Sequence, residues 1–206
     1  MFKEKVQKLL SLQIKKNKGE ASQWQIPAKP ISTELQENLE RLKEIFARCD
    51  DIVFREIEIN AGEPISGAIL YFKGITDEQM IAENILNPLL HDHPESGEKN
   101  LARGEVLDYI RENLSSVSEI ELAGDLSIIT QGVTHAKLAL LLDKVPTALL
   151  IDAPNKAARA IMEPDSEPVV RGPKDGFVES LSVNIMLLRR RLRTSYFKVE
   201  TFEIGN

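Results

Sequence analysis

Two apolar runs, KLALLLD from Lys137 and TALLID from Thr147, lie either side of Lys144, Val145 and Pro146 and set the strongest limit on how this chain folds. Neither run alternates. A strand with one wet face reads apolar, polar, apolar, whereas continuous apolar character implies burial on both faces. The pair therefore reads as a buried hairpin turning at residues 144–146.

An earlier hairpin is expected from IVFREIEI, which alternates from Val53 through Arg55 to Ile57 and Ile59, followed by the turn-rich NAGEPISG and by AILYFKG. Thr33 with Gln36 reads as a capping box, and Leu35, Leu39, Leu42 and Phe46 fall at helical spacing, so a helix over 33–48 with one buried stripe is predicted. Thr76 and Gln79 repeat that box ahead of MIAENIL, where Pro88 should end or kink the helix. Further on come a helix over about 101–114 using Val106, Leu107, Ile110 and Leu114, the short strand VSEIEL, and a weak helix through Val133 capped by Asp125. The expected fold class is α/β, of α+β-like character: two small subdomains with mixed sheets, at 31–122 and 123–206. Residues 1–30 read as a basic tail and a linker containing Gly19, Pro27 and Pro30.

Composition narrows the function. With 42% hydrophobic and 28% charged residues the chain is an ordinary globular one. A net charge of -6 and a pI near 5.3 argue against a nucleic-acid partner, which needs a concentrated basic surface. The charge is uneven, since residues 1–18 hold six lysines against Glu4 alone. That tail reads either as solvated or as touching an anionic membrane surface through a basic amphipathic helix. No apolar run reaches membrane-spanning length, because Asp143, Lys144 and Pro146 interrupt the best one. The first residues lack a small-residue cleavage site, so a secretory signal is not expected.

Catalytic chemistry finds little support. Cys49 is the single cysteine, which excludes an internal disulfide, and its acidic neighbours Asp50 and Asp51 oppose thiolate chemistry. His91, Asp92 and His93 sit before Pro94 in a polar loop with only His135 as a further histidine, too few convergent ligands for a metal. Neither an enzyme nor a cofactor nor a metal is expected. FREIEINAG at Phe54 is echoed by FKVETFEIGN at Phe197, where no second strand follows, which reads as a fragment missing a pairing strand.

The stretch EPVVRGPKDGFVESLSVNIMLLRRRLR carries the densest pattern. Gly172 and Pro173 force a turn, Asp175 is placed to cap, and Glu179 with the terminal arginines complements a helix dipole, so a helix over about 176–193 is predicted. On a helical wheel Phe177, Leu181, Ile185, Leu188 and Leu192 form the face expected to enter the core. Ser180, Asn184, Leu187 and Arg191 line its margin, so Asn184 and Arg191 need partners. Those partners are either backbone carbonyls and carboxylates such as Glu163, Asp165 or Glu167, or, together with Arg171, a ligand or neighbouring subunit. A phosphate loop is rejected, because RGPKDG lacks the required spacing and Asp175 would repel an anion.

This run, extended back to EPDSEP, resembles the signature of the A subunit of GerA-type spore germination receptors, and ILYFKGITDEQMIAENILNPLL resembles an upstream segment of the same family. By matching positions Arg171, Gly172, Pro173, Gly176, Phe177, Glu179, Asn184, Arg189, Arg190 and Arg191 inherit the signature, with Asp175 and Ser180 beside them as interaction candidates; Lys174 and Asp175 depart from its commoner charges. The resemblance implies the soluble N-terminal domain of an A subunit, its subdomains distantly similar to lobes of solute-binding proteins. It further implies a place on the cytoplasmic face of the inner spore membrane and partnership with B and C subunits and other A subunits. The implied role is a signalling and assembly module; the alternative is a nutrient-binding module with its small molecule in a cleft between the subdomains.

Overall fold

The computed structural model describes residue 26 and residues 28–61, 63–91, 105–114, 119–155 and 177–204. The two apolar runs become β4 (Lys137–Leu142) and β5 (Ala148–Asp152), paired antiparallel from Lys137↔Asp152 to Leu140↔Leu149. Their side chains alternate between two cores. Ala139, Leu141, Ala148 and Leu150 enter one apolar layer, while Leu138, Leu140, Leu142, Leu149 and Ile151 enter the other. Burial on both faces is thus the reason these strands carry no polar alternation.

The expected first hairpin is β1 (Ile52–Ala61) with β2 (Glu63–Phe72), and its ladder continues to Ala61↔Glu63, through residues whose sequence reads as a longer turn. β2 also pairs antiparallel with β4, and β3 (Ile120–Ala123) with β5, giving one five-stranded sheet in the order β1-β2-β4-β5-β3. The fold is α/β as expected, but the strands among the described residues form one antiparallel sheet where mixed sheets were anticipated. Strands from both sides of the expected boundary at 122/123 are hydrogen-bonded neighbours in it.

One face of the sheet is covered by α1 (Leu35–Ile45) and α5 (Leu126–Thr134). The predicted stripe of Leu35, Leu39, Leu42 and Phe46 is buried there. Its predicted cap is not used: Thr33 is exposed, and the Leu35 amide donates to Asp143 Oδ1 at 3.2 Å, from the β4–β5 turn. Gln36 instead donates to Glu56 at 3.1 Å. Asp125 caps α5 as expected, accepting from the Ser127 amide at 2.6 Å. Gly132 lets α5 approach β5 closely, since a Cβ there would lie 2.7 Å from Leu150 Cδ1.

The other face is covered by α2 (Glu78–Met80), a π-helical turn (Ile81–Leu86), α3 (Asn87–His91) and α4 (Glu105–Asn113). Asp77 rather than Thr76 caps this run, accepting from the Met80 amide at 3.0 Å, while the Thr76 hydroxyl donates to the Phe72 carbonyl. Pro88 neither ends nor breaks it. The turn before it widens, the Asn87 amide reaching Ala82 O, which eases the clash a proline ring makes with the carbonyl four residues back. The last helix, α6 (Leu181–Leu192), lies on the α1 side, where Met186 joins the core.

Candidate interface at the arginine-ended helix

Three consecutive arginines on a helix span about 200° of its circumference, so at least one must point inward on a docked helix. In α6 that residue is Arg189, only 2% exposed. Its Nε and Nη2 donate to Asp51 Oδ2 and Oδ1, each at 2.7 Å, in the two-pronged geometry that a planar guanidinium favours. Nη1 donates to the carbonyls of Phe197 at 2.5 Å and Thr194 at 3.4 Å. The guanidinium carbon also lies 4.1 Å from the Phe72 ring centroid and 4.7 Å from that of Phe197, and Phe46 meets Phe72 edge-on at 5.4 Å. Burying an unpaired arginine would be prohibitive; this one has a carboxylate, two carbonyls and two aromatic faces.

Arg190 donates to the Asn155 carbonyl, and Asn155 in turn donates through Nδ2 to Gly74 O at 3.0 Å and through its amide to Ile75 O at 2.9 Å. Gly74 has φ +78, a conformation costly for any residue with a Cβ, and a Cβ there would lie 3.6 Å from Met186. Arg189 and Arg190 thus fasten α6 to two separate places: the head of β1 and, at Asn155, the segment after β5, which is itself bonded to the turn after β2. Arg193, with φ 46, closes the helix, and its Nε donates to Arg190 O at 3.0 Å.

Beyond α6 the chain runs back along the end of α1. Val199 forms a parallel bridge with Cys49, the Asp50 amide donates to Val199 O at 2.8 Å, and the Thr201 amide donates to Asp50 Oδ2 at 2.6 Å. Lys198 Nζ donates to Ile45 O at 2.9 Å, and Arg48 pairs with Glu200 at 2.5 Å. The hydrogen bond from Arg48 holds the Glu200 carboxyl below its ordinary value and raises the guanidinium in return. The stretch that echoes β1 is therefore joined to the segment ahead of β1 by one bridge, not by a strand ladder. Cys49 is buried, with Sγ 3.8 Å from Phe197 O.

The predicted signature residues separate into groups. Arg171, Gly172, Pro173, Asp175 and Gly176 lie outside the described residues, as do Glu163, Asp165 and Glu167. Phe177, Glu179 and Ser180 precede the helix, which starts at Leu181 and not at 176, because Asn184 turns back on Val178, its Oδ1 accepting from the Val178 amide (2.8 Å) and its Nδ2 donating to the Val178 carbonyl (2.7 Å). Asn184 thus has a backbone partner of the expected type, though in a different segment. Ser180 Oγ lies 2.9 Å from Ser182 Oγ. Arg191 is exposed, and the residue that needed a buried partner is Arg189.

The expected core face is also corrected. Leu181 is 72% and Leu192 51% exposed, Phe177 is 70% exposed, and the buried side of α6 is Met186, Leu187 and Arg189. The anchoring pair overrides the apolar pattern. Asp51 was missed by the sequence reading; its only signal was a carboxylate directly ahead of an alternating strand. Among the described residues no group of three or more histidine, cysteine or acidic side chains could hold a metal ion, and no helix is long and apolar enough to cross a membrane.

The family model described as Bacillus/Clostridium GerA spore germination protein matches residues 40–206. The chain belongs to the GerA family. It is 33% identical over 180 residues to the uncharacterized membrane protein YfkQ of Bacillus subtilis (strain 168), covering 86% of this chain and 33% of that protein. Against spore germination protein B1 of the same organism it is 30% identical over 178 residues, covering 85% and 35%. It thus spans about a third of the length of the curated relatives it matches. Its fold is that of the N-terminal domain of the A subunit of the Bacillus megaterium spore germinant receptor GerK3, with a TM-score of 0.66 and 23% identity over 88% of this chain and 63% of that one.

Proposed function

We propose that this GerA-family chain is the N-terminal domain of a germinant-receptor A subunit and serves in spore germination as its signalling and assembly module. It works with B and C subunits and other A subunits, at the cytoplasmic face of the inner spore membrane. One observation carries the mechanical half of this reading: Arg189 and Arg190 are spent on internal acceptors, Asp51 at the head of β1 and the Asn155 carbonyl in the segment after β5. A helix fastened at two points of the sheet transmits displacement to both; it does not close over a small molecule. The remaining candidates, Arg171, Gly172, Pro173, Asp175 and Gly176 together with Phe177, Glu179, Ser180 and Arg191, act in this reading as contacts to the other subunits.

The test is co-purification from cells expressing the full-length A subunit with B and C subunits, combined with thermal-shift screening of this domain against amino acids, sugars and nucleosides. Assembly that fails when exposed Phe177 or Arg191 is replaced in a subunit whose domain still folds, with no saturable stabilisation across the panel, supports the module. A nutrient that raises the melting temperature in a concentration-dependent way would instead favour direct binding.

A further inference from the structure

We infer that α6 and residues 194–201 form a latch, a single body that leaves the rim of the sheet and returns while the sheet stays folded, with the Asp51 carboxylate as its catch. The cores close without it. Among the described residues every buried apolar side chain except Met186 and Leu187 lies at or before Ala153, and the last strand of the sheet ends at Asp152. Leu35, Leu39 and Leu42 seat α1, and Leu126, Ile129 and Val133 seat α5, all of them buried; to the same layer α6 adds Met186 and the half-buried Val183. Elements with little buried apolar surface open at lower free energy than the core they rest on.

The Arg189 guanidinium makes α6 and the chain after it one body. Its Nη1 holds the carbonyls of Thr194 and Phe197, and the Phe197 ring lies 4.7 Å from its central carbon. The bond from Arg193 Nε to Arg190 O, and that from the Tyr196 amide to Thr194 Oγ1, tighten the same turn. Its other edge, Nε and Nη2, reaches out of this body to Asp51, the strongest kind of polar hold. Further attachments are polar too: Arg190 to the Asn155 carbonyl, Lys198 to the Ile45 carbonyl, Arg48 to Glu200, and the Val199 bridge to Cys49, an isolated one. Such bonds exchange for bonds to water at small net loss, whereas the strands separate only by wetting both cores. Docked, α6 ties Asp51 to Asn155; released, it uncouples them, so one chain holds two states that differ in one element.

The latch follows from contacts within this chain and goes beyond the assembly reading, so either can fail while the other stands. Its test is native-state amide exchange of the 206-residue chain across sub-denaturing urea, together with thiol labelling of its single cysteine. Cys49 is buried against Phe197 and Val199, and the Asp50 amide donates to Val199 O, so both sense departure of the latch from the side it leaves. The amides of α6 and of Asp50 should share one opening, with a smaller urea slope and about tenfold or more less protection than β4 and β5, and Cys49 should react through that same opening. Asp51→Asn should raise the opening by about tenfold or more; unfolding breaks the same pair, so β4 and β5 lose protection by a like factor. Leu42→Ala removes packing that the released state keeps, so it should lower the protection of β4 and β5 by about thirtyfold or more and leave α6, Asp50 and Cys49 as they were. One shared free energy and urea slope for α6 and the sheet would overturn the latch. So would exchange in α6 while Asp50 and Cys49 stay protected, which is fraying in place, or Leu42→Ala loosening α6 in step with the sheet. Indifference of the opening to Asp51→Asn would remove the catch; if that variant does not fold, the unaltered chain and Leu42→Ala still decide.

Discussion

In α1 the leucine row Leu35, Leu39 and Leu42 is sealed against the sheet while Lys43 and Glu44 face water; in α6 the leucine row faces water and an arginine is sealed in. Both rows are regular. A leucine left wholly exposed forgoes roughly 1.5–3 kcal/mol of burial, so the orientation of α6 sacrifices much of that at Leu181 and part of it at Leu192. What offsets this is the set of partners waiting for Arg189: the Asp51 carboxylate, two carbonyls and two rings, most of them on the head of the sheet and the returning chain. Apolar periodicity therefore decides which face of a helix turns inward only when no better-matched polar anchor competes for the same side.

The sharpest way to break this contrast is Arg189→Met, which leaves the partly buried Asp51 carboxylate without its partner. It should cost about 3–5 kcal/mol in urea unfolding, and pairing it with Asp51→Leu should recover a large part, as expected when an orphaned charge causes the loss. If Arg189→Met alone were neutral, α6 would be held by its apolar contacts after all. Next in size is Leu42→Ala in α1, predicted to lose about 2–5 kcal/mol through the cavity it opens. Its counterpart Leu181→Ser in α6 should stay within about 0.5 kcal/mol of the unaltered chain. Equal losses in the two helices would erase the distinction drawn between them.

The smallest effect is a pH dependence in the returning chain. Glu200 has a folded-state pKa below its ordinary 4.5, first through the hydrogen bond from Arg48. Its contribution is complete above that ordinary value and fades as pH falls through the lowered one. The protection factors of the amides of residues 198–201, corrected for the intrinsic slowing of exchange at lower pH, should accordingly fall on acidification through that window, and Glu200→Gln should remove this part of the response. Because the pair lies at the surface, salt should weaken it too.

Elements governed by local pattern were legible in advance. The continuous runs of β4 and β5, the alternation of β1 and the α1 stripe each state their own burial. The features that escaped depend on residues far apart in the chain. The α1 cap comes from Asp143, 108 positions after the amide it accepts, and no local motif announces it. Thr76 follows the capping pattern, yet its hydroxyl finds the Phe72 carbonyl first, leaving Asp77 to cap. In the candidate interface, sequence singled out the arginines as a group and expected Arg191 to be the demanding one. Helix phase alone cannot rank three adjacent arginines; the position of Asp51 ranks them, 138 residues away.

The returning stretch 194–204 has a mechanical corollary. Its attachments are ordered along the chain: Thr201 to Asp50, Glu200 to Arg48, Val199 to Asp50, Lys198 to Ile45, and only then Phe197 to the buried guanidinium. Tension arriving from beyond Ile204 would peel surface bonds one at a time before loading the charged pair inside. The domain is thereby equipped to absorb small tugs at its margin and to yield internally only to large ones.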